Sequence, residues 1–149
     1  MTDLILAILH HLLVFGLVAM LMAEATLVRP GMRAVDVDRV VRIDVGYGAT
    51  AGLIVIVGVL RVFFGAKGYH FYANNFFFWG KMACFVAIAL LSIPPTLRFI
   101  QWRRTRKVDP AFVPTDLEAS GARKWMRYQS LILVFLLAFA AALPRTTQF

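Results

Sequence analysis

The sequence predicts an all-α integral membrane protein, a four-helix bundle in which each helix crosses the bilayer. Its 149 residues are 60% hydrophobic, whereas soluble domains are usually about half apolar. The apolar residues form four long runs, and a run of about 20 is enough to cross a hydrocarbon core of roughly 30 Å. Basic residues collect between the runs, which is typical of the loops of membrane proteins.

The four predicted spans cover residues 4–27, 46–64, 76–99 and 126–143, and they form a single membrane domain over residues 1–149. The first run is not expected to be a cleaved signal peptide, because no Lys or Arg precedes it and it is longer than a typical h-region. Residues 35–44 alternate charge and valine, which predicts a segment on the membrane surface or one leading directly into the second span. Gly48 and Gly52 are spaced for the close approach of another helix.

The third span carries Pro94 and Pro95, whose missing N–H groups free carbonyls one turn earlier. Because Pro94 follows Phe76 by eighteen residues, or about 27 Å, the kink is predicted near the interface opposite the start of the span. The longest predicted loop, 98–127, is the most basic part of the chain. Within it Thr115 and Glu118 match a capping box, which predicts a helix that starts there and can run into the fourth span.

The distribution of Lys and Arg predicts the orientation. Twelve lie in segments 28–45 and 98–127, whereas three lie on the other side: Arg61, Lys67 and Arg145. The positive-inside rule therefore places both termini on the outer, periplasmic side of a bacterial inner membrane and the basic loop between the third and fourth spans in the cytoplasm. With this clustering, the net charge of +8 indicates the lipid bilayer as a partner and not a nucleic acid. A homodimer or a larger membrane complex is left open.

His10, Arg61 and Lys81 are the predicted site residues near the outer surface. Each lies a few residues from the outer end of its span, so all three are expected within roughly 10 Å of that boundary. Imidazole is a haem ligand, a metal ligand and a proton carrier, and ionisable residues in spans usually face the interior. The structural alternatives are a histidine bonded to a neighbouring carbonyl and cations that snorkel to the lipid head groups.

Glu24 is the fourth predicted site residue. It follows His10 by fourteen residues, so the two should share one helix face about 20 Å apart, whereas His11 should be turned about 100° away. Glu24 is predicted either to relay protons or to form a structural ion pair with Arg29 or Arg127.

Motifs of soluble enzymes are missing. No phosphate-binding loop, nucleophile elbow or zinc-protease spacing occurs. The single cysteine, Cys84, excludes an intrachain disulfide and a thiolate metal cage. Whether the protein is an enzyme is left open by the sequence.

Several segments carry a family resemblance: Arg-Val-Phe-Phe-Gly-Ala-Lys-Gly at 61–68, Phe-Tyr at 71–72, Phe-Trp-Gly-Lys at 78–81, Leu-Ser-Ile-Pro-Pro-Thr-Leu-Arg-Phe at 91–99 and Trp-Arg-Arg at 102–104. Together with His10, Glu24 and Arg29-Pro30, they resemble a family of predicted four-span bacterial inner-membrane proteins whose function is not established. That family is distantly similar to the superfamily of HemJ-type protoporphyrinogen oxidases and CopD-type copper-resistance proteins.

In the HemJ type, a first-helix histidine and a third-helix lysine belong to a haem or porphyrin site, and His10 and Lys81 are the matching residue types. The resemblance implies haem b with His10 as an axial ligand of the iron and Lys81 as a second ligand or a propionate partner. Arg61 suits a propionate, because guanidinium binds carboxylates in a bidentate manner. Residues 129–132 read Gln-Ser-Leu-Ile, where the HemJ type has Asn-Glu-x-Pro. The resemblance therefore implies a porphyrin-binding relative rather than a protoporphyrinogen oxidase.

Two other functions remain open. A small proton- or ion-coupled transporter would use His10 and Glu24 as stations along one helix face. An accessory subunit of a membrane complex would dock a helix on Gly48 and Gly52 and would use the basic segment 103–107 to meet anionic lipid or a partner.

Overall fold

Five helices account for most of the chain. The computed structural model describes residues 2–64 and 68–145. In that part the helices are α1 (Thr2–Leu27), α2 (Ala34–Phe64), α3 (Gly68–Ala73), α4 (Phe76–Val108) and α5 (Asp116–Ala142), followed by a 3-10 turn at Leu143–Arg145. Helices α1, α2, α4 and α5 are each long and apolar enough to cross a membrane. The prediction of an all-helical protein with four membrane-length helices is thus confirmed.

The long helices pack as two pairs. α1 lies along α2 and α4 lies along α5, and the two pairs meet mainly between α2 and α4, with a smaller contact between α1 and α5. The turn between α1 and α2 contains Gly31, whose φ of +71° is one that glycine adopts readily. The Gly31 N–H donates to Asp116 Oδ1 at 2.8 Å, which fastens this turn to the first residue of α5.

Two helices are longer than a bilayer requires. α2 has 31 residues and α4 has 33, so they are about 46 and 50 Å long against a hydrocarbon core of roughly 30 Å. The charged segment 35–44 is the beginning of α2, which confirms the alternative in which it leads directly into the second span.

The predicted loop over 98–127 is mostly helical, which corrects that prediction. Its first part extends α4 to Val108 and its last part belongs to α5, so that residues 109–115 alone lie between the two helices. The chain leaves α4 just before Pro110, which cannot continue the helical hydrogen bonding. The capping box is confirmed, because the Thr115 side chain accepts from the Glu118 N–H and the Glu118 carboxylate accepts from the Thr115 N–H.

The most closely packed part of the molecule is the basic end, which we define as residues 28–45 and 98–127. Val37, Val40, Phe99 and Trp102 are each at most 1% exposed, and the rings of Phe99 and Trp102 lie 5.3 Å apart between centroids. Along the rest of the long helices many large apolar side chains point outward, among them Leu12, Phe15, Leu90 and Val134. A bilayer would cover that surface.

Candidate functional site

Two clusters of ionisable side chains lie between the helices, in different parts of the bundle. We call His10, Arg61 and Lys81 the cationic cluster, and Glu24 with Asp44 the acidic cluster. His10 and Glu24 are both on the buried face of α1. Because fourteen residues separate them in α1, the clusters lie about 21 Å apart along that helix.

His10 is the buried member of the cationic cluster. It is 7% exposed, and its Nδ1 atom is buried with no hydrogen-bond partner among the described residues. The ring packs against α2, where a Cβ atom placed on Gly58 would be 3.6 Å from His10 Cε1. The alternative of a structural histidine held through Nδ1 by a neighbouring carbonyl is therefore not observed.

Arg61 and Lys81 are half-buried and complete the cationic cluster. Both lie within electrostatic range of His10, and Arg61 lies within range of Lys81. Within residues 2–64 and 68–145 neither cation forms an ion pair, and Arg61 Nε is buried without a hydrogen-bond partner. The structure thus brings the three predicted residues together from α1, α2 and α4 without giving them a counter-charge.

His11 belongs to a different surface. It is exposed, and its Nδ1 atom lies 2.6 Å from the carbonyl oxygen of Ala7 on the same helix. The predicted rotation of His11 away from the buried face of His10 is therefore confirmed.

Glu24 is 3% exposed and lies close enough to Asp44 for the two carboxyl groups to interact. In the described part of the chain it forms no ion pair with Arg29 or Arg127, which corrects one of the two roles predicted for it. Arg29 lies in the exposed turn after α1 and Arg127 is exposed on α5. The continuous α2 instead brings an acid to the level of Glu24, whose Oε1 atom has no hydrogen-bond partner among the described residues.

Hydrogen bonds from three helices surround the acidic cluster. Thr96 Oγ1 of α4 donates to Asp44 Oδ1 at 2.7 Å. The Tyr47 hydroxyl, one turn after Asp44, donates to Gln129 Oε1 of α5 at 3.2 Å. These contacts tie α2 to both α4 and α5 at this level.

Gln129 also donates a hydrogen bond to a backbone carbonyl of α4 that a proline leaves without its helical partner. Its Nε2 atom donates to the carbonyl oxygen of Leu91 at 3.2 Å. In an uninterrupted helix that carbonyl would accept from the N–H of residue 95, but Pro95 has none. The side chain of α5 therefore supplies the donor that the α4 backbone lacks.

Sequence reasoning missed Asp44, Tyr47, Thr96 and Gln129 as members of a polar interior. A signal for two of the helices was present, because the buried positions recur at helical spacing. They are 37, 40, 41, 44 and 47 in α2 and 119, 122, 126, 129, 133 and 136 in α5. Extending the valine pattern of residues 37–41 by one turn would have marked Asp44 as inward-facing.

A groove of about 260 Å³ opens between α2 and α4 beside the acidic cluster. Asp44 and Thr96 line one part of it and Phe85 another, and no member of the cationic cluster lines it. Gly48 lies on its wall. A Cβ atom on Gly48 or Gly52 would meet nothing within 4 Å, so no other helix of the described chain packs closely against these two glycines.

Comparison with known proteins identifies a family over nearly the whole length. A family model described as a predicted membrane protein, DUF2214, matches residues 2–146. This chain belongs to the DUF2214 family. No curated protein and no solved structure matches it. The description of the family agrees with the four membrane-length helices of the structure.

This DUF2214 protein offers few ligands for a bare metal ion. In the part of the chain that the structure describes, no three His, Cys, Asp or Glu side chains are placed to hold one. The donors at the cationic cluster are of another kind, one imidazole beside an ammonium and a guanidinium. Such a set fits a molecule that combines an acceptor for a nitrogen ligand with anionic groups.

Proposed function

We propose that this DUF2214 protein binds haem b or a related porphyrin at the cationic cluster, for electron transfer or porphyrin oxidation in the bacterial inner membrane. The supporting observation is that three helices bring one buried imidazole and two half-buried cations together with no carboxylate beside them in the described residues. Haem b carries one iron and two propionates, which match one imidazole and two cations. The resemblance to the HemJ type favours the same ligand.

Each residue of the cluster has a role in this proposal. His10 is an axial ligand, Lys81 is a second ligand or binds a propionate, and Arg61 binds a propionate through its planar fork. A bound haem supplies one-electron chemistry. The protein contributes position and charge, and the low dielectric between the helices strengthens the attraction of both cations for the propionates.

The test is an absorption spectrum of the protein purified from membranes of haem-supplemented cells, with and without dithionite. The wild type is expected to show a Soret band that shifts on reduction. His10→Ala should lose the band, whereas His11→Ala should keep it, because His11 is exposed on the neighbouring position. A wild type without a Soret band, or an unchanged band in His10→Ala, would rule the proposal out.

Methionine at the two cationic positions separates charge from bulk. Arg61→Met and Lys81→Met keep most of the side-chain volume and remove the charge. Each is expected to weaken haem retention by on the order of tenfold, because one charge-assisted pair with a propionate is lost. Retention equal to that of the wild type in both variants would mean that the cations do not hold propionates.

A second candidate function is proton- or ion-coupled transport, and the buried carboxyl groups of Glu24 and Asp44 favour it. Ionisable groups buried in membrane helices often mark proton or ion paths. The buried Leu17 and Leu21 lie on α1 between His10 and Glu24, so the apolar packing separates the two stations. Proton or cation flux into liposomes that falls in Glu24→Gln would support this function, and equal flux in both proteins would remove its basis.

The proposed orientation places the termini outside and the basic end in the cytoplasm. Its test uses a Cys84→Ala background with a single new cysteine, either Val113→Cys or Arg145→Cys, both at exposed positions. An impermeant maleimide added to spheroplasts should label position 145, and it should label position 113 after the membrane is opened. The reverse pattern would invert the orientation.

A further inference from the structure

We infer that the groove between α2 and α4 binds a lipophilic amine, with the cationic head group at Asp44 and the hydrocarbon chain along the two helices. The inference is independent of the porphyrin proposal, because the groove contains no residue of the cationic cluster. It assigns a ligand to the acidic cluster from charge, hydrogen bonding and shape.

The head group is specified by the polar side chains of the groove. Asp44 is 9% exposed and lines the groove. Its Oδ1 atom accepts from Thr96, and Oδ2 accepts no hydrogen bond within the described residues, so it is available to a ligand. No Lys, Arg or His of the described part lines the groove. A head group that brings both a positive charge and N–H donors therefore complements this site.

Glu24 adds to the same requirement. It does not line the groove, but it is buried within electrostatic range of Asp44, and neither carboxyl group has an ion-pair partner in residues 2–64 and 68–145. Buried carboxylates are normally paired or hydrogen-bonded, because desolvation of an unpaired charge costs several kcal/mol. One ammonium at Asp44 supplies the counter-charge that no other described residue provides there.

The rest of the groove specifies the chain. On α4 the wall runs from Phe85 to Thr96, eleven residues further along the helix, which is about 16 Å. The lining away from Asp44 and Thr96 is mainly apolar, with Ile88 and Ile93 on α4 and Ala51 on α2. The volume of about 260 Å³ is below the range of roughly 300–1,000 Å³ that drug-sized ligands occupy. An unbranched alkyl chain fits this shape better than a ring system.

The experiment uses the full-length protein in nanodiscs of uncharged phosphatidylcholine and a dodecylamine that carries a photoreactive diazirine on its chain. After illumination, mass spectrometry locates the cross-links. They are expected on the α2 and α4 residues of the groove, such as Ala51 and Phe85, and unlabelled dodecylamine should compete for them. Dodecanol and dodecanoate should compete at least tenfold less well, because neither presents a cation.

Two variants and one control locate the site. Asp44→Asn retains an acceptor for Thr96 but loses the charge, and Gly48→Leu adds a bulky side chain to the wall of the groove, where a Cβ atom would have nothing within 4 Å. Both should reduce cross-linking at least tenfold. Gly52→Leu, which adds the same side chain one turn away and outside the groove, should cross-link like the wild type.

Three outcomes would overturn the inference. Equal competition by dodecanol would show that the groove selects an alkyl chain and not an amine. Unchanged labelling in Asp44→Asn would remove the carboxylate as the recognition group. A cross-linked dimer in the wild type that disappears in Gly48→Leu would show that a second copy of the chain occupies the groove.

Discussion

The cationic and acidic clusters both bury ionisable groups, but they differ in the hydrogen bonds that these groups receive. Both clusters place ionisable groups between membrane-length helices. The two clusters lie about 21 Å apart along α1. At the acidic cluster a hydroxyl of α4 bonds to Asp44, and Tyr47 and Gln129 connect the neighbouring helices. At the cationic cluster, His10 Nδ1 and Arg61 Nε have no partner among the described residues. Both clusters contain a buried polar atom without a partner among the described residues, since Glu24 Oε1 has none either, but the acidic cluster also lies among hydrogen bonds that join helices.

Packing follows the same division. The basic end contains Val40, Phe99 and Trp102, each at most 1% exposed. They lie on the parts of α2 and α4 by which these helices are longer than a bilayer is thick. Outside a bilayer, apolar burial stabilises such extensions through the hydrophobic effect. Inside a bilayer that driving force between helices is absent, and close packing with hydrogen bonds must replace it. We therefore expect stability to depend more on the basic end than on the end that carries the cationic cluster.

The largest expected effect tests this difference in packing. Trp102→Ala should lower the free energy of unfolding by about 3–5 kcal/mol, because a fully buried indole leaves a cavity. Trp79→Ala is the matched control near the cationic cluster, since Trp79 is 58% exposed and its indole N–H donates to the Ala73 carbonyl. Its cost should be about 1 kcal/mol. Denaturation in mild detergent measures both, and equal losses would contradict the proposed division.

An intermediate effect is expected for the hydrogen bonds that join α4 and α5. Gln129→Leu removes the donor to the Leu91 carbonyl and should cost about 1 kcal/mol, in the range of side-chain hydrogen bonds between membrane helices. Pro95→Ala restores a backbone N–H that can reach the same carbonyl. Gln129→Leu should therefore lower the free energy of unfolding less in a Pro95→Ala background than in the wild type. Strict additivity in this double-mutant cycle would show that Gln129 does not compensate for the proline.

The smallest effect tests the difference in charge. Lys81→Glu gives Arg61 a carboxylate neighbour and should raise the free energy of unfolding of the haem-free protein by about 0.5–1 kcal/mol. Lys81→Met removes repulsion without creating a pair, so its gain should be smaller. Thermal unfolding in detergent at low salt measures the two variants. A loss of stability in Lys81→Glu would indicate that Lys81 already has an anionic partner.

Much of the candidate site could be predicted from the sequence, for reasons that particular residues show. His10 and Glu24 share a face because fourteen residues are close to four helical turns, and His11 points elsewhere for the same reason. The sequence did not predict which side chains of different helices come close to one another. The ion pair predicted for Glu24 used Arg29 or Arg127, whereas the structure shows Asp44 as the ionisable group within electrostatic range of Glu24.

The loop over 98–127 shows the same limit at the level of elements. Charge density there indicates a segment outside the bilayer, and that inference does not distinguish a loop from a helix that continues into water. Phe99 and Trp102 settle the matter, because both are buried in the hydrophobic cluster that also contains Val40 and Ala122, and this burial stabilises the extension of α4.

The sequence by itself determined the number of membrane-length helices, their approximate limits and the helix faces on which His10 and Glu24 lie, because hydropathy and helical periodicity are local properties of the chain. The tertiary structure decided that Asp44 lies within electrostatic range of Glu24, that Gln129 bonds to the carbonyl freed by Pro95, and that a groove opens beside Gly48. Those features depend on the register between neighbouring helices. That register is set by the packing of whole faces against one another, and no single segment of the sequence encodes it.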